Sequence, residues 1–132
     1  MTSHSIEGKV VLIAGGAKNL GGLIARDLAQ QGAKAVAIQA DLTTAAAVEK
    51  LFADAIAAVG KPDIAINTVG KVLKKPITEI SEAEYDEMSA VNAKTAFFFI
   101  KEAGKQVNDN GKVLTLVTLD WFEELIDAHL EA

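Results

Sequence analysis

The chain has 132 residues, half of them hydrophobic, and carries a formal net charge of −5. This length predicts one domain, residues 1–132, with a sizeable core, and the acidic balance argues against a nucleic-acid partner. There is no cysteine, and the only histidines, His4 and His129, are far apart, so we expect no metal site. No apolar run is long enough to cross a membrane, so we expect a cytoplasmic protein with no membrane partner.

Apolar strand-like segments alternate with amphipathic segments at helical spacing. The predicted strands are 9–14, 35–40, 63–67 and 112–117, and the predicted helices are 20–31, 44–59, 81–107 and an acidic one at 119–132. The first helix should bury Leu20, Leu23, Ile24 and Leu28. The second should be capped by Thr43 or Thr44, and the third by a capping box of Ser81 and Glu84.

Nearly continuous apolar strands alternating with helices are typical of a parallel sheet covered on both faces. We therefore predict a three-layer α/β/α, doubly wound, four-stranded parallel sheet in the order 2-1-3-4, a flavodoxin-like arrangement. In that order the winding direction changes between strands one and three. Their carboxyl ends should open a ligand crevice.

Glycines crowd the turn between the first strand and the first helix, at residues 15–22. Glycine allows close backbone approach, and a helix N-terminus presents free N–H groups and a positive dipole end. Such a turn is suited to a diphosphate, although many strand-to-helix turns are tight for packing reasons alone.

Four blocks in register resemble the short-chain dehydrogenase/reductase family. They are the glycine turn, Asp41-Leu42, the stretch from Asn67 to Gly70, and Val91-Asn92-Ala93 on the third helix. The resemblance covers the chain up to residue 118, and 119–132 looks unrelated to it. It implies a Rossmann-type fold and an NAD(P)-dependent oxidoreductase as the parent.

The resemblance implies cofactor-binding roles for Gly15, Lys18, Asn19, Leu20, Gly21, Asp41, Leu42, Asn67, Val69 and Gly70. Several of these assignments have competing interpretations. Lys18 would contact a 2′-phosphate or is merely solvated, and Asp41 would contact adenine or a ribose hydroxyl, or caps the second helix. Asn67 is either a shelf under the cofactor or a turn former.

The chain departs from the family in two places before residue 118. The second strand runs directly into Asp41-Leu42, as if a strand and a helix were missing. The only tyrosine, Tyr85, is followed four residues later by Ser89, so the family's YxxxK pair is absent. Asn92 and Thr118 then remain as vestigial members of the catalytic network, because neither titrates usefully as a general acid or base.

We therefore interpret the sequence as a non-catalytic, engineered minimal Rossmann domain that tests a rearranged fold and requires no cofactor. A weak NADP(H)- or nucleotide-binding module is the first alternative, and an NADP-dependent oxidoreductase is the second. The apolar run from Phe97 to Ile100 cannot all face one sheet. It predicts a homodimer through the helix at 81–107, in which Phe97 and Phe98 make contact.

Overall fold

The computed structural model describes residues 5–15, 19–71, 73 and 75–116. The strands are β1 Val10–Ala14, β2 Lys34–Ile38, β3 Ile64–Asn67 and β4 Lys112–Thr115. The helices are α1 Asn19–Gln30, α2 Ala45–Val59, α3 Glu82–Ser89 and α4 Thr95–Gln106. A π-helical segment, Ala90–Lys94, joins α3 to α4, and a 3₁₀ turn, Ile77–Glu79, precedes α3. The alternation of strands and helices agrees with the pattern in the sequence.

The strands form one parallel sheet in the order β2-β1-β3-β4, which confirms the predicted topology. β1 is central and pairs with β2 on one side and β3 on the other. Ala14 at the end of β1 is in register with Ile38 and with Asn67. The carboxyl ends of three strands therefore finish level, at the edge where the winding changes direction.

The two faces of the sheet bury different side chains, because successive residues of a strand point to opposite sides. On one face, Leu12 and Ala14 pack with the buried residues of α2 and α4. On the other face, Val11 and Ile13 pack against the side of α1 that carries Ile24 and Leu28. The sheet thus lies between helical layers, as expected for three layers.

The predicted apolar face of α1 is partly wrong. Leu20 and Leu23 are more than half exposed, whereas Gly21 is buried and Ile24 and Leu28 are half-buried. α1 lies mainly over β2. Ile24, Ala25 and Leu28 are turned toward the sheet, and Leu20 and Leu23 are turned outward.

Both predicted helix starts with polar caps are observed. Thr44 caps α2 by accepting a hydrogen bond from the Ala47 amide at 3.2 Å. Ser81 and Glu84 form the predicted capping box at the start of α3, with bonds of 3.1 and 3.0 Å. These caps satisfy amides that the first helical turn leaves free.

The predicted third helix is continuous in space but changes its winding at the π-helical segment. The four consecutive apolar side chains from Phe97 to Ile100 point in different directions around α4, as four successive helical residues must. Phe99 is fully buried against Phe52, with ring centroids 5.2 Å apart. Phe97 and Ile100 are 64% and 50% exposed, and Phe98 is half-buried. This leaves an apolar surface on α4, defined by Phe97 and Ile100.

β4 is one edge of the sheet and is poorly covered by the described residues. Leu114 lies on the α1 side, in register with Ile66, yet it is 45% exposed. The predicted acidic helix at 119–132 lies outside the described residues, as does the end of the predicted strand at 117.

Asp63 ties together three strands at the end of the sheet opposite the glycine turn. Its Oδ2 accepts from the Val10 amide at 2.9 Å, and its Oδ1 accepts from Asn108 Nδ2 at 3.0 Å. Its carbonyl oxygen accepts from the Lys112 amide at 2.9 Å. The hydrogen bond from Val10 and the one from Asn108 lower the pKa of this carboxyl below its ordinary value.

This lowered pKa predicts a pH-dependent contribution to stability. A carboxyl whose folded pKa is depressed stabilises the fold above its unfolded value, about 3.9, and loses that effect as pH falls through the folded value. Asp63→Asn removes the charge and keeps only one of the two acceptor oxygens. We expect the native chain to resist urea better than this variant at pH 7, with the difference shrinking below about pH 4. A difference that is the same at pH 3 and pH 7 would contradict this account.

Candidate functional site

The turn after β1 brings the backbone close to the loop after β3. Gly15 has φ of 77°, and its amide donates to the Ile38 carbonyl at 2.9 Å. A Cβ on Gly15 would lie 2.8 Å from Thr68 Oγ1 and 3.3 Å from Val69 Cγ2. Glycine is therefore required here both for its backbone angle and for space.

A cleft of about 280 Å³ opens beside this turn, at the carboxyl ends of β1, β2 and β3. Its lining is drawn from all three strand ends and from the first turn of α1. The lining residues are Gly15, Leu20, Gly21, Gln39, Ala40, Thr68, Val69 and Gly70. Five residues predicted from the sequence are thus brought together: Gly15, Leu20, Gly21, Val69 and Gly70.

The N-terminus of α1 gives this cleft an electropositive wall. Asn19 is the first residue of the helix, and the first turn contains no acidic residue. The amides of a first helical turn have no partner within the helix, and they carry the positive end of its dipole. None of the described lining residues carries a charge, so no carboxylate among them opposes an anion. Residues 16–18, including Lys18, lie outside the described part of the chain.

Thr68 fastens the β3 loop onto the end of β1. Its amide and its Oγ1 both donate to the Ala14 carbonyl, at 3.0 and 2.8 Å. Asn67 is buried beside it, and its Oδ1 accepts from the Val69 amide at 3.0 Å. Asn67 is thus a turn-forming residue underneath the cleft and does not line it. Its Nδ2 has no partner among the described residues.

Asp41 and Leu42 lie beyond the cleft lining. The Asp41 Oδ1 accepts from both the amide and the Oγ1 of Thr43, at 3.1 and 2.7 Å, and these bonds lower the pKa of the carboxyl. The cap of α2 is Thr44, so Asp41 does not serve that role. Leu42 is buried in the core on the α2 side.

Asn92 acts as a bridge between the π-helical segment and the loop after β3. Its Oδ1 accepts from the Lys71 amide, and its Nδ2 donates to the Lys71 carbonyl, both at 2.8 Å. These bonds pin the loop next to Gly70, whose added Cβ would lie 3.4 Å from Asn92 Oδ1. Asn92 therefore positions the cleft wall. Thr118, the other predicted network residue, lies outside the described residues.

Sequence reasoning missed Gln39, Ala40 and Thr68. The first two were assigned to the second strand, but β2 ends at Ile38 and they stand at the cleft instead. Each of the three follows a parallel strand directly or by one residue. That position would have been the signal, because the residues after parallel strands collect at one edge.

The described residues contain no group of three or more histidine, cysteine, aspartate or glutamate side chains that could hold a metal ion. No helix among them is long and apolar enough to cross a membrane.

A second cavity, about 350 Å³, lies at the opposite end of the sheet near Asp63. Its lining includes Lys9, Lys112 and Asp109, so both signs of charge are present. Its described lining contains no residue from the start of a helix, in contrast to the cleft beside Gly15.

A family model described as enoyl-(acyl carrier protein) reductase matches residues 5–121. The chain therefore belongs to the short-chain dehydrogenase/reductase family. It is similar to a solved structure of a putative dehydrogenase from Burkholderia cenocepacia with bound NADP, at 61% identity and a TM-score of 0.82. That likeness covers 89% of this chain and 55% of the other.

Two further likenesses agree with this assignment. A solved short-chain dehydrogenase from Oenococcus oeni PSU-1 is 44% identical with a TM-score of 0.71, covering 89% of this chain and 65% of the other. Elsinochrome reductase 1 of Elsinoe fawcettii is 28% identical over 141 residues, covering 88% of this chain and 53% of that protein. The chain thus spans about half the length of the curated relatives it matches.

The comparisons contradict three expectations from the sequence. The interpretation of the chain as a non-catalytic, engineered domain is wrong, because its relatives are named reductases and dehydrogenases. The expectation that it is not an enzyme falls with that interpretation. The expectation that no cofactor is required is also wrong, because the similar Burkholderia dehydrogenase contains NADP.

Two glycines with matching backbone angles allow a test of the close approach at the cleft. Gly15 and Gly8 have φ of 77° and 75°, but nothing lies within 4 Å of a Cβ built on Gly8. Replacing either with alanine should cost about 1–2 kcal/mol for the left-handed conformation. Gly15→Ala should cost more than Gly8→Ala in urea unfolding, because only Gly15 meets Thr68. An equal loss of unfolding free energy in the two variants would show that Thr68 moves aside without an energetic penalty.

Proposed function

We propose that this chain forms the cofactor-binding part of an NADP-dependent oxidoreductase of the short-chain dehydrogenase/reductase family. The observation that carries the proposal is the uncharged cleft at the carboxyl ends of β1 and β3, beside a glycine that cannot bear a Cβ. This is the position at which doubly wound sheets bind dinucleotides. The NADP in the similar Burkholderia structure supports this choice of cofactor.

The residues of the cleft fit a dinucleotide diphosphate. Gly15 keeps the floor open, since any Cβ there would fill the space next to Thr68. Gly21 is buried in the first turn of α1, where it lets the helix start lie close to the strand ends. The free amides of this turn can donate to phosphate oxygens, and the helix dipole favours the negative charge.

The remaining walls would orient the rest of the cofactor. Val69 offers an apolar side chain, and Gly70 leaves room next to it. Asn92 holds this wall in place through both backbone groups of Lys71. When bound, the nicotinamide cofactor supplies or accepts a hydride. The chain's own residues bind its diphosphate and fix its position.

Binding is the step that we assign to residues of this chain, and turnover is proposed for the whole protein. Tyr85 is its only tyrosine and stands on α3 with a ring 54% exposed, outside the cleft lining. Proton transfer in such a reaction needs a titratable group within hydrogen-bond reach of the substrate. Tyr85 is not placed for that task.

The test is a titration with NADPH, followed by cofactor fluorescence and by thermal unfolding. We expect saturable binding and a raised melting temperature, since a ligand at 100 times its Kd stabilises the folded state by about 2.7 kcal/mol. Leu20→Glu provides the matched variant. Leu20 lines the cleft but is 54% exposed, so the fold should tolerate the change.

The new carboxylate at residue 20 should repel the diphosphate and weaken NADPH binding by about tenfold or more. The unliganded variant should keep its melting temperature, because an acid in the first helical turn favours the helix. Leu20→Gln, of similar shape without charge, serves as the control. Absence of NADPH binding by a cooperatively folded native chain would refute the proposed function.

The apolar surface on α4 supports a second part of the proposal, self-association into a homodimer through the helix at 81–107. Phe97 and Ile100 are three residues apart and therefore neighbours on the helix surface. Exposed contiguous apolar side chains of this kind are typical of protein interfaces.

Replacing Phe97 with glutamate should shift the chain toward monomer, because the charge would have to be buried at the interface. Leu23→Glu is the control, since Leu23 is exposed to a similar degree, 59%, but lies on α1. Sedimentation velocity over a range of concentrations measures the effect. A native chain that stays monomeric throughout, or equal behaviour of both variants, would contradict this interface.

A further inference from the structure

The turn before β4 places an exposed asparagine directly in front of a glycine. It runs from Asn108 to Gly111 and is closed by a hydrogen bond from the Gly111 amide to the Asn108 carbonyl at 2.9 Å. Asn110 has φ of 65°, in the left-handed region that asparagine tolerates better than most side chains. It is exposed and lines the cavity of about 350 Å³ near Asp63. Its amide group is therefore open to solvent.

The fold fixes both residues of this pair. A Cβ on Gly111 would lie 2.5 Å from the Asp63 carbonyl oxygen. It would also lie 2.8 Å from the Asn108 carbonyl oxygen and collide with the Val107 side chain. The amide of Lys112 donates to the same Asp63 oxygen at 2.9 Å, which holds the start of β4 in this crowded position. Glycine is thus required at residue 111 for space, and asparagine at residue 110 suits the positive φ.

An asparagine that precedes a glycine can be attacked by its own backbone. The amide nitrogen of Gly111 forms a bond to Cγ of Asn110, and Nδ2 leaves as ammonia together with the proton of that amide. The product is a five-membered succinimide ring. Water then opens the ring at either of its two carbonyl carbons, which gives an α-linked aspartate or a β-linked isoaspartate. Glycine favours the first step, because it has no Cβ to hinder the approach of its nitrogen.

The other asparagines of the chain are protected by their contacts or by the residue that follows them. Asn67 is 1% exposed, and Asn92 is held by two side-chain hydrogen bonds of 2.8 Å. Nδ2 of Asn108 donates to two oxygens, at 3.0 and 3.3 Å. Asn19 is followed by a leucine, whose side chain hinders attack by the backbone nitrogen. Asn110 alone combines an exposed side chain with a following glycine.

The hydrogen bond from the Gly111 amide has to open before its nitrogen can attack. This bond closes a turn in which Asn108, Asp109 and Asn110 are all exposed. Exposed backbone hydrogen bonds outside the core open locally, at a much smaller free-energy cost than global unfolding. The reaction therefore needs an opening of the turn and not of the sheet.

We infer that Asn110 is a site of spontaneous deamidation in the folded chain, with water as the only co-reactant. The inference is independent of the proposed function, because the turn lies at the end of the sheet opposite the cleft. The isoaspartate product brings one additional backbone atom into the turn. Since Gly111 has no room to shift toward Asp63, this atom lengthens the turn and loosens the start of β4.

The experiment incubates the native chain at mildly alkaline pH and follows it by peptide mapping with mass spectrometry. We expect a gain of one mass unit in the peptide that contains residue 110, with isoaspartate identified by fragmentation, and no gain at the other asparagines. Asn110→Gly removes the reacting side chain and keeps the positive φ, so its mass should stay constant.

Melting temperatures test the effect on the turn. Asn110→Asp adds the charge of the product without the additional backbone atom, so it separates the two effects. The incubated native chain should melt at a lower temperature than this variant, because only isoaspartate lengthens the turn. If the two melt alike, the modification site stands and the loosening of β4 is wrong.

A parallel incubation in guanidinium chloride gives the reference rate, since no native contact protects any asparagine there. Deamidation of Asn110 that occurs only in the denaturant would overturn the inference, because the folded turn would then protect the side chain. Equal rates at Asn108 and Asn110 in the folded chain would overturn it as well, since neither the glycine nor the bonds of Asn108 would then matter. Loss of the mass gain in Asn110→Gly, with the gain present in the native chain, supports it.

Discussion

The close approach between the turn after β1 and the loop after β3 is the constraint on which the site depends. A Cβ on Gly15 would lie only 2.8 Å from Thr68 Oγ1, which leaves no room for a side chain. The amide and the hydroxyl of Thr68 both donate hydrogen bonds to the Ala14 carbonyl. This contact fixes the ends of the two central strands against each other. The cleft is lined by this loop, by the end of β2 and by the first turn of α1. Gly15 and the two bonds from Thr68 to Ala14 thus align the ends of β1 and β3 and shape the cleft in which we propose that a diphosphate binds.

The segment between β2 and α2 forms one edge of the cleft. β2 pairs with β1 over its full length, and four residues after its last residue, Ile38, Leu42 enters the core on the α2 side. Thr95 on α4 donates to the Leu42 carbonyl at 2.9 Å, which anchors this segment. Gln39 and Ala40, which lie between Ile38 and the anchored Leu42, line the cleft.

The sheet order could be predicted from the sequence because it follows from few alternatives. Apolar strands that alternate with amphipathic helices require parallel pairing, and right-handed crossovers then leave little choice. The helix caps at Thr44 and Ser81 could also be predicted from the sequence, since each depends on neighbouring residues alone. The exposed side of α1 could not be predicted in the same way, because it depends on how the helix lies over β2 in the folded chain. Nor could the orientation of the Asp41 carboxylate, which is decided by two bonds from Thr43 that spacing rules ignore.

The interpretation of the chain as a non-catalytic domain was wrong because it rested on the catalytic pair and not on the cleft. The YxxxK pair concerns proton transfer, whereas the cleft is a place for binding. Its described lining comes from the turn after β1, the first turn of α1, the end of β2 and the loop after β3, and Tyr85 does not belong to it. The absence of that pair from this sequence therefore gives no information about the cleft. What the cleft can bind is decided by the space at Gly15, the free amides of α1 and the neutral rim at Gln39.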